Sequence, residues 1–247
     1  MGFARVQGGA LPSTNREVPV TAARERSFPS ISVDDGVYAP QDDSFLLCAE
    51  IATHTAVAGA RVLDLCTGSG IAAIEAARRG AREVVAYDIS SRAVACALSN
   101  ADVNGVSIDA RVGTLFDAQQ DAPFGVIVSN PPYVPSPRAP VGMGLHRAWD
   151  AGDRGRVVLD LLCKHAFDLL VPGGAVIMVQ SELCGVEDSL DRLRDTGLDA
   201  EVIRRRTIDF GPVLRERAPW MEAVGLIEAG CRSEELIVIE GRRPADS

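Results

Sequence analysis

Arg61-Val-Leu-Asp64-Leu-Cys66-Thr67-Gly68-Ser-Gly70 is a short apolar run that ends in a glycine turn, and it opens directly into the helical pattern Ile71-Ala-Ala-Ile74. A strand covered on both faces reads as such a run, and glycine follows it where the backbone must turn sharply or admit a ligand. The same unit recurs along the chain. Strand-like runs fall at 61–65, 83–88, 108–112, 124–129 and 175–180, with two more at about 200–208 and at 235–240. Between them lie amphipathic stripes: one stopped at Gly80, one through Ala93, Val94, Ala97, Leu98 and Ala101 stopped at Gly105, one over 156–170, and one at 186–196. Pro172-Gly173-Gly174 is expected to turn the third of these into its strand. Asp42-Asp43-Ser44 followed by Phe45 to Ile51 predicts a first helix ahead of them all. This alternation predicts an α/β protein with a Rossmann-like, doubly wound, seven-stranded sheet, mostly parallel with an antiparallel last strand.

The composition fits one such domain. The chain has 247 residues, of which 47% are hydrophobic, and its 25 Lys+Arg against 34 Asp+Glu leave a net charge of −9. Fibrous and wholly disordered chains are excluded, and the acidic balance disfavours nucleic acid as a partner. No run reaches the ~18 apolar residues that cross a bilayer, and no signal peptide is legible, so the expected location is the cytoplasm, away from membranes. Cys48, Cys66, Cys96, Cys163, Cys184 and Cys231 form no Cys-x-x-Cys pair and lie apart from His54, His146 and His165, so neither a metal site nor a disulfide framework is expected. Residues 1–30 read as a flexible arm, and 31–247 as a single domain with an insertion at about 209–232 that serves as a lid or an added element.

Three places carry chemistry. The Gly68-x-Gly70 turn lies at the carboxyl end of a strand, where open α/β sheets bind nucleotide-like ligands. Read as Gly68-x-Gly70-x-x-Ala73 it also fits the dinucleotide fingerprint, so NAD is a rival ligand. Asp64 favours a cationic, amino-acid-like ligand such as S-adenosylmethionine over a pyrophosphate, and Asp88, 20 residues beyond Gly68, can accept from ribose hydroxyls or cap the next helix. The third place separates the rivals: Phe124 to Ser129 runs into Asn130-Pro131-Pro132-Tyr133. Two prolines remove two N–H donors, and with the Asn130 side chain they offer carbonyl acceptors for an –NH2 on a flat group, an amide or a nucleobase. His146, His165 and the run Arg204-Arg205-Arg206 read first as ordinary loop, helix and surface residues, whereas Trp149 and Trp220 are candidates for the wall of a substrate cleft.

In this order and spacing, Asp64 to Gly70, Asp88, and Asn130 to Tyr133 resemble a class I S-adenosylmethionine-dependent methyltransferase of the Asn-Pro-Pro-Tyr type. The narrower resemblance is to the HemK-related protein-(glutamine-N5) methyltransferases, which modify peptide release factors at a Gly-Gly-Gln motif. Val37-Tyr38-Ala39-Pro40-Gln-Asp-Asp43-Ser44-Phe45-Leu-Leu47 is similar to the Tyr-Glu-Pro-x-Glu-Asp-Thr-Phe-Leu-Leu segment of the short branch, and Ala148-Trp149-Asp-Ala-Gly152-Asp-Arg-Gly155 to its Ala-Trp-x-Gly-Gly-x-x-Gly segment. The similarity spans about residues 36–180. It implies that Asp64, Cys66, Thr67, Gly68, Gly70, Asp88, Ile89, Thr114, Leu115, Asn130 and Ser44 hold S-adenosylmethionine and its product S-adenosylhomocysteine. It also implies a catalytic turn of Asn130, Pro131, Pro132 and Tyr133, in which Tyr133 packs on the flat acceptor group, with methyl transfer to a glutamine amide of a protein substrate. Some members of the branch also need a small activating partner subunit.

The pattern departs from the family in four respects. Ala39 replaces the family's Glu, and Gly113-Thr114-Leu115-Phe116-Asp117 leaves either Thr114 or Asp117 for the place of the acidic residue beside the adenine. The amino-terminal helical domain of the bacterial members has no counterpart here, and the 209–232 segment has none in the short members. A nucleic-acid amino-methyltransferase, a small-molecule methyltransferase with that segment as its lid, and a non-catalytic cofactor-binding scaffold are the alternatives.

Overall fold

In the computed structural model, residues 28–137 and 148–246 are described. The arm expected over 1–30 lies outside them except for its last three residues, and so does His146. The elements run α1 (Asp42–Ile51), β1 (Arg61–Leu65), α2 (Ile71–Arg78), β2 (Glu83–Asp88), α3 (Ser91–Val103), β3 (Asp109–Val112), α4 (Leu115–Ala118), β4 (Phe124–Ser129), α5 (Val157–Leu169), β5 (Leu170–Ser181), α6 (Val186–Asp195), β6 (Asp199–Asp209), α7 (Pro212–Ala223) and β7 (Ser233–Arg242). The seven strands form one sheet in the order β3-β2-β1-β4-β5-β7-β6. β7 is antiparallel to both of its neighbours, and every other pair is parallel.

The central strands are legible because both their faces are covered. Val62, Leu63, Val126, Ile127, Val176 and Ile177 are fully buried between helical layers in which α1 packs on α2, α2 on α3, and α5 on α6. Burying a side chain of this size is worth about 1.5–3 kcal/mol. Ahead of α1, Ser30 and Ser32 exchange backbone bonds with the side-chain amides of Asn104 and Asn100, two residues one turn apart on α3 or its C-cap, which straps the entering chain to that helix.

One expectation is corrected, and two elements went unread. Pro172-Gly173-Gly174 lies inside β5 as an irregularity: Phe124 pairs with Leu170 but Val126 with Ala175, and Gly173 takes φ +77°. The short helix α4 went unread because four residues hold no periodicity. The 209–232 segment carries a helix, α7, which begins on Pro212 and contains Pro219 in its interior. As expected, the arginine run faces solvent, but its members are ion-paired: Arg204 with Glu50, Arg206 with Asp42 and Arg205 with Glu235. Each such half-exposed pair is worth at most about 1 kcal/mol. Among the described residues no helix is long and apolar enough to cross a membrane, and no cluster of three or more metal-ligating side chains is present.

Candidate active site

A cleft of about 860 Å³ opens at the carboxyl ends of β1, β2 and β4. Its floor is the turn after β1, and the backbone there is bent by design of the sequence: Cys66 takes φ +63°, Gly68 φ +54° and Gly70 φ +84°. A Cβ on Gly68 would point into open space, whereas one on Gly70 would lie 2.8 Å from the Ala97 Cβ on α3. Gly68 therefore leaves room for a ligand, while Gly70 lets two helices approach. The turn is braced from both sides. Asp64 is buried and accepts from Thr67 Oγ1 (2.7 Å) and Ala73 N (3.1 Å), both through Oδ2. Asp88 accepts from Gly68 N through Oδ2 and from Ser90 N through Oδ1, each at 2.9 Å. Burial pushes the Asp64 carboxyl up to about 7, against the lowering effect of its Thr67 and Ala73 bonds, and burial also raises Asp88. Ser90, not Asp88, caps α3.

The Asn130 turn meets α1 through a second buried carboxylate. Asp43, 5% exposed, accepts from Ser44 N (2.6 Å) and Ser44 Oγ (3.1 Å) through Oδ1, and from Tyr38 OH (3.1 Å) and Tyr133 OH (2.9 Å) through Oδ2. Asn130 Nδ2 in turn donates to Ser44 Oγ at 3.2 Å. The polarity of this chain follows from its end. A carboxylate only accepts, so the Ser44 hydroxyl donates to Asp43, its oxygen accepts from Asn130, and the group bonded there is Nδ2. Asn130 Oδ1 is thereby left as the acceptor of the side chain. Burial and the nearby Asp43 carboxylate keep both Tyr38 and Tyr133 well above the ordinary phenol range, so both stay donors.

The expected site residues separate into three groups. Ser44, Asp64, Cys66, Thr67, Gly68, Asp88, Ile89, Thr114, Leu115, Asn130 and Pro132 line the cleft. Pro131 and Tyr133 line a narrow adjoining cavity of about 30 Å³, which Asn130, Tyr38, Ala148 and Trp149 also border. Gly70 lines neither and serves packing and the start of α2. Tyr133 is buried with its hydroxyl on Asp43, so it is a wall and a donor to α1 before it is a stacking surface. Between Thr114 and Asp117, Thr114 lines the cleft, while the Asp117 carboxylate is spent on Thr114 N and Oγ1 as the capping box of α4. Trp149 borders the small cavity; Trp220 packs in a separate cluster on α7. His165 rests edge-on against Phe116, outside the cleft lining.

Several lining residues went unread. Val157, Val158, Leu161 and Leu162 on α5 read as a core stripe, yet Val157 is 49% exposed and lines the cleft, as does Phe116 at 53%. The signal was present in the width of that stripe, which is broader than one buried face needs. Asp43 was legible as a helix start and as part of the 37–47 segment, but not as a hub, because Tyr133 reaches it from 90 residues along the chain.

Glu234, on β7, is a further buried carboxylate behind this network. It is 5% exposed, and Oε2 has no hydrogen-bond partner among the described residues. Burial pushes it from 4.5 up to about 7, with Asp43 and Glu182 adding to the rise and a Ser181 bond opposing it. Because the folded value is raised, the native state holds a proton that the unfolded chain releases between pH 4.5 and 7, so stability is full below pH 4.5 and falls as pH climbs through 7. Glu234→Gln is expected to remove this loss, leaving the variant about 3 kcal/mol more stable than the native protein at pH 8 and near parity at pH 4.5. Urea unfolding of both proteins at the two pH values checks it, and a constant difference between them would count against the assignment.

A mostly parallel seven-stranded sheet with an antiparallel β7, a glycine turn after β1, acidic ends on β1 and β2, and an Asn-Pro-Pro-Tyr turn after β4 are the features of a class I methyltransferase. Comparison with solved structures agrees. The Mtq2–Trm112 complex of E. cuniculi, responsible for methylation of the termination factor eRF1, superposes with a TM-score of 0.57 at 22% identity over 84% of this chain and 99% of that one. The family model for ribosomal protein L11 methyltransferase (PrmA) matches residues 45–131, which carry β1 to β4. A protein named as an N5-glutamine methyltransferase in Methanocaldococcus jannaschii is 34% identical over 175 residues, 70% of this chain and 87% of its own length. The release factor glutamine methyltransferase of Deinococcus radiodurans is 37% identical over 58% of this chain and 52% of its own length. The chain belongs to the HemK-related protein-(glutamine-N5) methyltransferase family.

Proposed function

We propose that the chain is an S-adenosylmethionine-dependent N-methyltransferase acting in the cytoplasm on the side-chain amide of a glutamine in a protein, with a peptide release factor as the acceptor. The observation that carries the reading is the polarity of the Asp43, Ser44, Asn130 chain, which leaves Asn130 Oδ1 to accept from a primary amide. The names of the relatives support the same acceptor. The Mtq2 neighbour works as a complex with Trm112, and the proposal extends to a small partner subunit here.

The cleft fits the cofactor on its own residues. A cationic amino-acid end beside Asp64 offsets the burial that raises that carboxyl, Asp88 lies where ribose hydroxyls need an acceptor, and Ile89, Leu115 and Phe116 offer an apolar side to a flat base. Arg92 is the one cationic side chain among the described lining residues, a poor setting for the pyrophosphate of NAD. When bound, the cofactor supplies an electrophilic methyl group on a sulfonium. The chain holds the acceptor: Asn130 Oδ1 and the Pro131 carbonyl take the two coplanar N–H groups of the amide, which orients the nitrogen and raises its electron density as charge develops. Tyr133, fixed through its hydroxyl, walls the narrow cavity beside them. Positioning supplies most of the rate.

The test is calorimetric titration with S-adenosylhomocysteine and separately with NAD, followed by labelled-methyl transfer to recombinant release factors and to their Gln→Glu variants at the Gly-Gly-Gln motif. Binding of S-adenosylhomocysteine alone and label lost with the glutamine are expected. Binding of NAD alone, or label retained in the Gln→Glu acceptor, would overturn the reading.

A further inference from the structure

Helix α7 has a small core of its own, in which Phe210, Leu214, Ala218, Met221 and Ile227 are buried together. Val134, the residue directly after the Asn-Pro-Pro-Tyr turn, packs against that core. From the same helix Arg217 sends a fork across the next stretch of chain: Nη1 donates to the Pro135 carbonyl at 2.8 Å, and Nη2 pairs with Asp150 at 2.5 Å. Both ends are largely shielded, the side chains being 18% and 9% exposed.

The two groups that Arg217 grips lie on opposite sides of a short backbone seam. Val134 N donates to Trp149 O (2.8 Å), Ala151 N to Val134 O (3.2 Å) and Ser136 N to Gly152 O (2.8 Å). One side of the seam continues from the catalytic turn; the other carries Ala148 and Asp150, which line the cleft, and Trp149, which borders the narrow cavity. A planar guanidinium that binds a carbonyl on one side and a carboxylate on the other fixes both position and angle, which a single point charge does not.

We propose that Arg217 is a positioning residue for the acceptor: through Pro135 and Asp150 it clamps the seam that forms the wall of the acceptor cavity, so that α7 sets acceptor affinity without touching the cofactor. The proposal rests on the acceptor reading above, and its test has one arm that does not. In Arg217→Met, amide exchange measured by mass spectrometry over 133–137 and 149–152 should rise at least tenfold while the amides of β1 and β4 keep their native rates. On the release factor, KM should rise at least tenfold with kcat within threefold, and the affinity for S-adenosylhomocysteine should stay native. Arg217→Lys, which keeps the charge but not the fork, should fall between the two. Native exchange at the seam, or an acceptor KM unchanged when the seam has loosened, overturns the proposal, as does a loss of cofactor affinity in step with turnover, which would mark general damage to the site. If the native protein methylates no release factor, the substrate reading falls while the exchange arm still decides whether the clamp exists.

Discussion

Asn130→Ala is expected to lower single-turnover methyl transfer by on the order of 10²–10³-fold, the scale on which one preorganised polar group at a reacting centre acts. The affinity for S-adenosylhomocysteine should change little, because the turn after β1, Asp64 and Asp88 are held by bonds that do not involve Asn130. The buried chain behind Asn130 makes the prediction sharper. In Ser44→Ala the Asn130 amide keeps its oxygen but loses the group that dictates which end faces the cleft, so the loss should be smaller, roughly five- to tenfold, as for one neutral hydrogen bond. Rapid-quench kinetics beside calorimetry separates the two effects. Cofactor affinity that collapsed in Asn130→Ala would move Asn130 from the acceptor to the cofactor and undo the assigned polarity.

Gly155→Ala should be among the most destabilising single-methyl substitutions in the chain, at about 3–5 kcal/mol. Gly155 takes φ +70°, and a Cβ there would fall on the Tyr133 carbonyl oxygen while lying 2.8 Å from Cys184 Sγ. Neither obstacle can swing aside: one is backbone of the Asn-Pro-Pro-Tyr turn, and the other is the buried thiol that donates to that same carbonyl. Gly173→Ala is the control, since Gly173 has a similar φ of +77° but nothing within 4 Å of its Cβ position, so backbone strain alone should cost it about 1–2 kcal/mol. Equal losses for the two variants in urea unfolding would show that only the backbone conformation matters and that the approach to Tyr133 does not.

Gly155 also shows how much of this protein can be read in one dimension. The glycines of the 148–155 segment were legible as a motif, but the reason for Gly155 lay in a carbonyl 22 positions earlier. β1, β2 and β4 were legible because burial on both faces leaves a mostly apolar run, and residues at their carboxyl ends line the cleft. α7 was not, although Leu214, Ala218 and Met221 keep helical spacing, because Pro219 breaks the pattern in its interior, and its buried residues pack with Val134, far along the chain. The Asp43 hub and the Arg217 fork stayed invisible for a plainer reason. Tyr133 lies 90 residues from Asp43 and Asp150 67 from Arg217, and no local pattern records such distances.

The position of β7 between β5 and β6 sets an order in time. During synthesis the chain emerges from its amino end, so β1 to β5 can pair while the last residues are still inside the ribosome. β6 cannot join them, because its only neighbour in the sheet is the strand made after it. Helix α7, tethered between these two strands, waits with β6 for residues 233–242. A nascent chain can thus pair the strands that shape the cleft before α7 takes the seat from which Arg217 reaches Pro135 and Asp150.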